Sequence, residues 1–513
     1  MRSWSVRRAA VLVAALTVGS TVLGFLRDVV IGAVFGAGPS LDAYLVAQGV
    51  MNIVLGLISG AMARSLTPVI ARQASECSSA GSCSGHRTID VAVTVTLVVL
   101  GVVGLVMAIF TAPVVGLLAP GFGPEQTELT VLLTRVVLIA TVLVSGTNLL
   151  AGVAHAHGRF GWAGAQGIPF NIIMIISAAV FGPQFGVAAL AVGFVVGSLA
   201  RLLLQVVPLR SLGLKVTPSL ALRDPGFREI TRMLPPLLLS SAITNVNQLV
   251  DRGVASTVGD GAITALSYGW HVVNLPETVI VASLLVPLYP AIGAAGDDRI
   301  ELRRLIRRGL RAILTALAPI AAVLVVVAQP IVATLFGYGA FDGDAVDATA
   351  TALRWYGAGL VALGVSTLFV RASHAVGDTV RPVITAVIAM AVNVLGNLWL
   401  GPLWGIRGIA LATTASLVVA AVLNGWFLIR HHDAFDFPDL VKVSGRVLLG
   451  ITAAIGVGLA INAIVPDWWS PLRGFAVSVP MLLVFLGVLR VIRAPELGLL
   501  GELVGRRGTP ERG

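Results

Sequence analysis

Apolar runs long enough to cross a hydrocarbon core of about 30 Å recur along the whole chain, and no polar block between them is large enough to fold as a soluble domain. This leaves one fold class, an all-α polytopic membrane protein. Only 12% of the 513 residues are charged and 57% are hydrophobic, with a mean hydropathy of +0.93, whereas a soluble domain carries about 25% charged residues. About 14 transmembrane helices fit, at roughly 8–35, 41–71, 89–118, 127–156, 161–182, 186–209, 233–257, 261–290, 307–336, 346–376, 381–401, 406–430, 443–465 and 474–492. The start, MRSWSVRRAAVLVAALTVG, has the basic and apolar regions of a signal peptide, but the apolar run continues without an A-x-A site and reads as the first span.

Charge between the spans alternates. Arg2, Arg7 and Arg8, then Arg72 and Arg87, Arg159, the set Arg210, Lys215, Arg223, Arg228 and Arg232, the set Arg299 to Arg311, and Arg430, Lys442 and Arg446 fall on one side. PGFGPEQTE, GPQFG, VGDG and GYGAFDGDAVD, with no positive charge, fall on the other. The positive-inside rule predicts that both termini are cytoplasmic. The formal net charge of +10 is therefore a property of loops, and no nucleic acid partner is expected. Cys77 and Cys83 are the only cysteines and fall in a short loop on the basic side, where thiols stay reduced.

The two halves repeat. His155-Ala156 with Gly158 recurs as His374-Ala375 with Gly377, and Gly182-Pro183 with Gly186 recurs as Gly401-Pro402 with Gly405, both displaced by 219 residues. Asn52 and Pro68 recur as Asn274 and Pro290, displaced by 222. A unit of six spans returns the chain to its starting side, so the halves are parallel repeats about an axis along the membrane normal. The predicted division is an N-terminal lobe over 1–210, a cytoplasmic linker over 211–232 within the basic stretch Arg201 to Arg232, a C-terminal lobe over 233–431, and an additional helix pair with a cytoplasmic tail over 432–513. That linker suits a hinge.

Charges inside apolar spans carry the functional information, because each costs about 2.5–3.5 kcal/mol at the bilayer centre on insertion scales. In the first half these are Arg27 and Asp28 on span one, Asp42 at the start of span two, and Arg64 near its end. In the second half Asp251 and Arg252 stand where the repeat expects Arg27 and Asp28, in reversed order, and His271 and Glu277 follow on span eight. If the repeat holds, these groups converge with Asn52 on a wet cavity between the lobes. The alternative is local: ion pairs that tie helices together, or arginines that snorkel to headgroups. Arg135 and Arg354 fit either reading. Gly24, Gly49, Gly56 and Gly60 with Pro68, Pro276 and Pro290 read as loosened helices beside the cavity or as close packing at small residues.

The chain carries no G-x-x-x-x-G-K-[ST] phosphate loop, no H-E-x-x-H helix and no G-x-S-x-G elbow, so it is not read as an enzyme. His155 and His157 point about 200° apart on a helix and read as a loop-end pair rather than a metal site. No cofactor is expected beyond a coupling ion or the membrane potential.

VLGFLRDVVIGAVFGAGPSLDAY at 22–44, SGAMARSLTPVIA at 59–71, LPPLLLSSAITNVNQLVD at 234–251, LFGYGAFD at 335–342 and SHAVGDTVRPVI at 373–384 resemble the MurJ/MviN lipid II flippase family of the multidrug/oligosaccharidyl-lipid/polysaccharide exporter superfamily. The resemblance implies two six-helix lobes around a cationic cavity, alternating access, and a final helix pair that grooves a polyprenyl tail. Arg27, Asp28 and Asp42 match the family's charges. Thr21 stands where the family carries an Arg, Ser59 where it carries an acidic residue, and His271 where it carries a cavity Arg.

The function this implies is translocation of a polyprenyl-diphosphate-linked cell-wall precursor, lipid II, from the inner to the outer leaflet of the bacterial cytoplasmic membrane. Arg27 is the first candidate for the diphosphate because guanidinium stays protonated and binds phosphate oxygens bidentately, with Arg64 and Arg252 next. Asp28 and Asp42 would orient those arginines or gate the outer side, and His271, if it lies in the cavity, would alter the cavity's affinity between states. The rivals are export of another polyprenyl-linked glycan or an amphipathic small molecule, and a transport-inactive scaffold that recruits cell-wall synthesis proteins.

Overall fold

The computed structural model describes residues 6–80, 85–213, 216–295, 298–433, 437–465 and 470–495. Arg2, Cys83, Lys215 and the tail beyond 495 lie outside the described residues, as do the side chains of Arg7, Arg8, Cys77 and Pro290. The described residues contain helices and connections and no strand.

Among the described residues, twelve helices are long and apolar enough to cross a membrane. They are α1 (Val6–Phe35), α2 (Pro39–Gln73), α3 (Gly85–Ile109), α4 (Pro124–Ala156), α5 (Gly161–Phe185), α6 (Ala188–Ser211), α9 (Arg299–Val326), α10 (Gly343–Ala375), α11 (Val380–Trp404), α12 (Ile406–His432), α13 (Phe437–Ile464) and α14 (Ser470–Val491). Between them lie α7 (Pro225–Ser256) and α8 (Ala262–Ala295), of 32 and 34 residues, which complete the expected set. Proline opens α2, α4 and α7, where its missing N–H costs no helical hydrogen bond. Asp224 caps α7 by accepting from Phe227 N (2.9 Å), and Asp298 caps α9 by accepting from Ile300 N and Glu301 N (3.0 and 3.1 Å).

The 219-residue repeat is present in the backbone. Gly158 and Gly377 turn the chain at φ +74 and +82, and Gly186 and Gly405 at φ +59 and +58, conformations that only glycine adopts without strain. Spans three and nine each break before their far end. A short helix follows each of them, Thr111–Leu118 after α3 and Ala328–Phe336 after α9. At both breaks an arginine from the next span reaches back to a carbonyl freed by the interruption, Arg135 Nε to Ala108 O (3.2 Å) and Arg354 Nε to Val325 O (3.3 Å). These two arginines are themselves 219 apart, so their role is local in both halves.

The chain forms two compact units, residues 1–263 with 338–342, and residues 264–337 with 343–513. In the first unit, Leu66, Ile70, Val91, Leu149, Val153 and Ile230 from four helices form a buried cluster. Helix α7 belongs to this unit by contact, which sets the compact unit apart from the six-span repeat. The reason is specific packing against α2, where Asn245 and Arg252 of α7 lie against Gly56 and Gly49, one heptad apart on each helix. The 216–229 stretch is laced down: Thr217 N donates to Asp90 Oδ1 (2.9 Å), Ser219 N to Thr94 Oγ1 (3.0 Å) and Thr88 Oγ1 to Asp224 Oδ2 (2.8 Å), while Arg72 pairs with Glu229. The hydrogen bond from Arg72 holds the Glu229 carboxyl below its ordinary range. Arg201 belongs to α6 and not to this linker, a correction to the basic stretch read from the sequence.

Segment 338–342 docks on the end of α1 by a backbone clasp. Ala340 N donates to Ala33 O (2.8 Å), and the two glycines beside it are in the left-handed region, Gly36 at φ +67 and Gly339 at φ +61. A Cβ on Gly36 would lie 2.4 Å from Ala340 O, and one on Gly339 would lie 2.2 Å from Ala33 O.

In the second unit, α10, α11 and α12 pack through small residues, with Gly359 against Thr414, Gly425 against Phe369 and Gly396 against Ala412. Asn397 Nδ2 donates to Asn393 Oδ1 (2.9 Å) and Asn393 Nδ2 to Thr413 Oγ1 (3.1 Å), a buried neutral chain between α11 and α12. Beyond the membrane spans, Arg381 donates to Asp378 (2.7 Å), His432 Nε2 lies 3.4 Å from the same carboxylate, and Arg303 pairs with Asp433. Burial pushes the Asp378 carboxyl up, but hydrogen bonds from Arg381 and His432 outweigh it and hold the group below its ordinary range. Helices α13 and α14 close on each other where Gly450 meets Phe485 and Gly458 meets Met481. Large apolar side chains such as Leu105, Leu117, Trp399 and Phe475 point outward, as surfaces facing lipid do.

Candidate functional site

The most concentrated charge within the spans of the first unit surrounds one phenylalanine. Arg27 lies on α1 eight residues before its end at Phe35, about 12 Å along the axis. Neighbouring side chains on a helix do not face one another, yet the long Arg27 side chain folds back to donate from Nε and Nη2 to Asp28 Oδ1 (3.0 and 2.7 Å). Its Nη1 donates to Asn171 Oδ1 on α5 (3.1 Å), and Asn171 Nδ2 in turn donates to Ser20 O on α1 (3.1 Å). Gly24 faces this amide, and a Cβ there would meet Asn171 Nδ2 at ordinary contact distance, 3.5 Å. The guanidinium is held by Asp28 and Asn171 while 23% of the side chain stays exposed.

The Arg27 Cζ lies 5.8 Å from the centroid of the Phe170 ring, and the Arg201 Cζ from α6 lies 4.8 Å from the same centroid. Phe170 is 6% exposed and meets Phe194 edge-on at 5.1 Å. Arg201 is ten residues short of the α6 terminus at Ser211, about 15 Å along the axis, too deep to snorkel to headgroups. Sequence reasoning missed it by counting it with the basic linker. The signal was available: one arginine in an apolar span, the same criterion that selected Arg27.

The other candidates are set on α2, α7 and α8. Asp42 is 1% exposed in the first turn of α2, where a carboxylate suits the helix dipole. Asn52 is exposed, and Arg64 is exposed with Nε donating to Gly60 O (3.0 Å) in its own helix. Between Asn52 and Arg64 the helix widens into one π turn, Leu55–Ser59. Arg252 is part-buried with its guanidinium seated against Gly49, and Asp251 beside it is part-buried. In the second unit, His271 is exposed and stacks on Tyr268 at 6.3 Å, and Glu277 accepts from Thr367 Oγ1 (3.1 Å). Arg27 and Asp28 are brought together, and the structure sets Phe170, Asn171 and Arg201 beside them. His155 ends the last turn of α4 and His157 Nδ1 lies 2.9 Å from Val153 O, a helix-end arrangement.

This arrangement can present planar, permanently charged donors to an anion inside an apolar surround. Residues 31–479 match the family model described as lipid II flippase MurJ. The chain is 30% identical over 477 residues to a probable lipid II flippase MurJ of Haemophilus influenzae, covering 88% of this chain and 91% of that one. It is 29% identical over 435 residues to the lipid II flippase MurJ of Burkholderia cenocepacia, covering 82% of each. Among solved structures it is similar to a lipid II flippase MurJ in an inward closed conformation, with TM-score 0.79, 20% identity, and coverage of 94% of this chain and 100% of that one. It is also similar in fold to an inward-facing multidrug resistance MATE family transporter, with TM-score 0.64, 18% identity, and coverage of 83% and 98%.

Proposed function

This chain belongs to the MurJ lipid II flippase family, and we propose that it translocates lipid II, a polyprenyl-diphosphate-linked cell-wall precursor, from the inner to the outer leaflet of the bacterial cytoplasmic membrane. It is a multi-pass membrane transporter and not an enzyme. The observation that carries the proposal is Arg27, a guanidinium held by Asp28 and Asn171 well inside a span yet still part-exposed. A diphosphate brought away from water needs compensating charge and directed donors, and arginine supplies both without depending on pH.

The resident carboxylate Asp28 serves a second purpose in this reading. It neutralises Arg27 while the headgroup is absent, so the arginine does not stand as a bare charge in the span. Arrival of an anionic headgroup competes with Asp28 for the guanidinium, which makes binding an exchange of ion pairs. Alternating access completes the cycle, powered by an ion gradient or by the membrane potential, which is worth about 2.3 kcal/mol per charge at 100 mV. Both termini are assigned to the cytoplasm, supported by the basic connections between alternate spans.

The test is complementation of a strain depleted of its own lipid II flippase, with lipid II in the outer leaflet measured directly. The wild-type chain is expected to restore growth and outer-leaflet lipid II, and Arg27→Ala to abolish both at an unchanged level in the membrane. Growth without outer-leaflet lipid II would point to the scaffold reading, and unchanged transport by Arg27→Ala would remove the headgroup role.

A further inference from the structure

The geometry points to Arg201 as a second cationic contact for a diphosphate in the first unit, acting with Arg27 across the Phe170 ring. This rests on the headgroup reading of Arg27 and adds a residue to it. Three observations carry it. First, Arg201 and Arg27 share one ring, at 4.8 and 5.8 Å, so two permanent positive charges are held on a single rigid wall. The wall is fixed: a Cβ on Gly197 would lie 2.9 Å from Phe170 Cδ2, so α6 closes directly on the ring.

Second, the charges do not balance. Arg27 is neutralised by Asp28, whereas Arg201 makes no ion pair among the described residues, and its Nε is buried with no hydrogen-bond partner. A ring quadrupole attracts a cation but does not cancel its charge. An unneutralised guanidinium midway along an apolar span is costly and marks a place where an anion is received. Third, a donor beside it on α6 is also unsatisfied: Ser198 Oγ, three residues before Arg201 on the same helix face, is buried without a partner and has an O–H to donate.

The repeat sharpens the assignment. The positions 219 residues on from Phe170, Asn171 and Arg201 are Ala389, Met390 and Ala420, so the second half keeps the helices and lacks the cluster. A residue needed to brace the shared scaffold would have a counterpart there. The ligand class is a diphosphate monoester or diester, whose two phosphoryl groups offer separate oxygens to two guanidinium forks. The source is either the lipid headgroup or free pyrophosphate, which share that chemistry.

The test uses the purified full chain in detergent, with binding read by native mass spectrometry and by quenching of tryptophan fluorescence. The probes are undecaprenyl diphosphate, undecaprenyl monophosphate, undecaprenol and inorganic pyrophosphate. Arg201→Gln is expected to weaken undecaprenyl diphosphate by roughly 10- to 100-fold, the loss of one charge-assisted contact, while undecaprenol retention and the unliganded melting temperature hold. Arg201→Lys keeps the charge without the fork and is expected to recover part of the affinity and lose selectivity for diphosphate over monophosphate. It decides the matter if Arg201→Gln does not fold, because unchanged selectivity would overturn the assignment. Lipid as the source requires that pyrophosphate alone bind weakly; equal loss for both probes identifies a free-anion site with the same residues.

Arg27→Ala is measured in parallel. If it loses diphosphate affinity while Arg201→Gln binds as wild type, the inference fails and the headgroup reading stands. If neither variant changes affinity, both fail. If Arg201→Gln alone loses affinity, Arg201 stands and the role of Arg27 fails.

Discussion

Gly49→Ala offers a test of why α7 packs where it does. A Cβ at position 49 would lie 1.6 Å from Arg252 Nη1, 2.8 Å from its Cζ and 3.4 Å from its Cδ. The aliphatic stem is already at contact distance and can stay, but the guanidinium must swing away by about 2 Å to regain a van der Waals separation of about 3.5 Å. Losing that seat costs about 1–3 kcal/mol, as overpacked sites do. The substitution also returns about 0.8–1.0 kcal/mol of helix propensity, measured in water, so the net destabilisation is about 0–2 kcal/mol. A single-variant measurement is thus a poor test. The double-mutant cycle with Arg252→Ala is a good one, because removing the guanidinium removes the clash and leaves only the propensity gain. We expect a coupling energy of about 1–3 kcal/mol, read from denaturant-induced unfolding in mixed micelles followed by tryptophan fluorescence. Additivity of the two substitutions within about 0.5 kcal/mol would refute the packing argument. Where Arg252 also contacts the headgroup, Gly49→Ala loses more transport than its stability loss accounts for.

Gly36→Ala places a Cβ against a backbone oxygen at a positive φ, so unlike Gly49 it has no flexible neighbour to displace; unfolding measurements should show a loss above about 2 kcal/mol, and a near-neutral effect would remove the clasp. Arg135→Met and Arg354→Met each remove one hydrogen bond to a helix-end carbonyl, and thermal melts should show similar small losses, about 1 kcal/mol apiece; a large effect of one alone would break the repeat's equivalence. Because the folded-state Asp378 carboxyl is held below its unfolded value of about 3.9, its contribution is fully present above that pH and is lost as pH falls through the folded value. The stability gap between wild type and Asp378→Asn should therefore be flat from pH 8 to roughly pH 5 and narrow below about pH 4, and a gap that grows on acidification would reverse the assignment.

Hydropathy located the spans because each must hide its backbone from lipid along its full length, and this requirement is written into every residue of the run. Breaks within spans were less visible. Spans three and nine were read as continuous over 89–118 and 307–336, yet each is interrupted, because apolar residues line both pieces and composition does not register a turn. The π turn at Leu55–Ser59 is invisible for the same reason. In the candidate site, Arg27 and Asp28 were legible as charges out of place. Phe170 and Asn171 were not, since an aromatic and an amide within an apolar stretch acquire meaning only from what α1 and α6 set beside them. Arg64 shows the converse, because a charge conspicuous in sequence turns to a carbonyl of its own helix.

The repeat separates scaffold from chemistry. Residues that shape the backbone recur at an offset of 219: Gly158 with Gly377, Gly186 with Gly405, Arg135 with Arg354. Two polar clusters do not recur. Where the first unit has Phe170, Asn171 and Arg201, the second has Ala389, Met390 and Ala420; where the second has the buried chain Asn393, Asn397 and Thr413, the first has Met174, Ala178 and Phe194. At these positions, Phe170 and Ala389 aside, one half is apolar where the other is polar. A purely structural role would place the same polar brace at the same point of both copies, since the same helices must be held. The exchange instead sets fixed positive charge in the first unit and buried neutral amide and hydroxyl groups in the second. Grafting the cluster into the second half, by Ala389→Phe with Ala420→Arg, should then destabilise the chain without adding diphosphate affinity, because Met390 stands where Asn171 would help to hold the new charge.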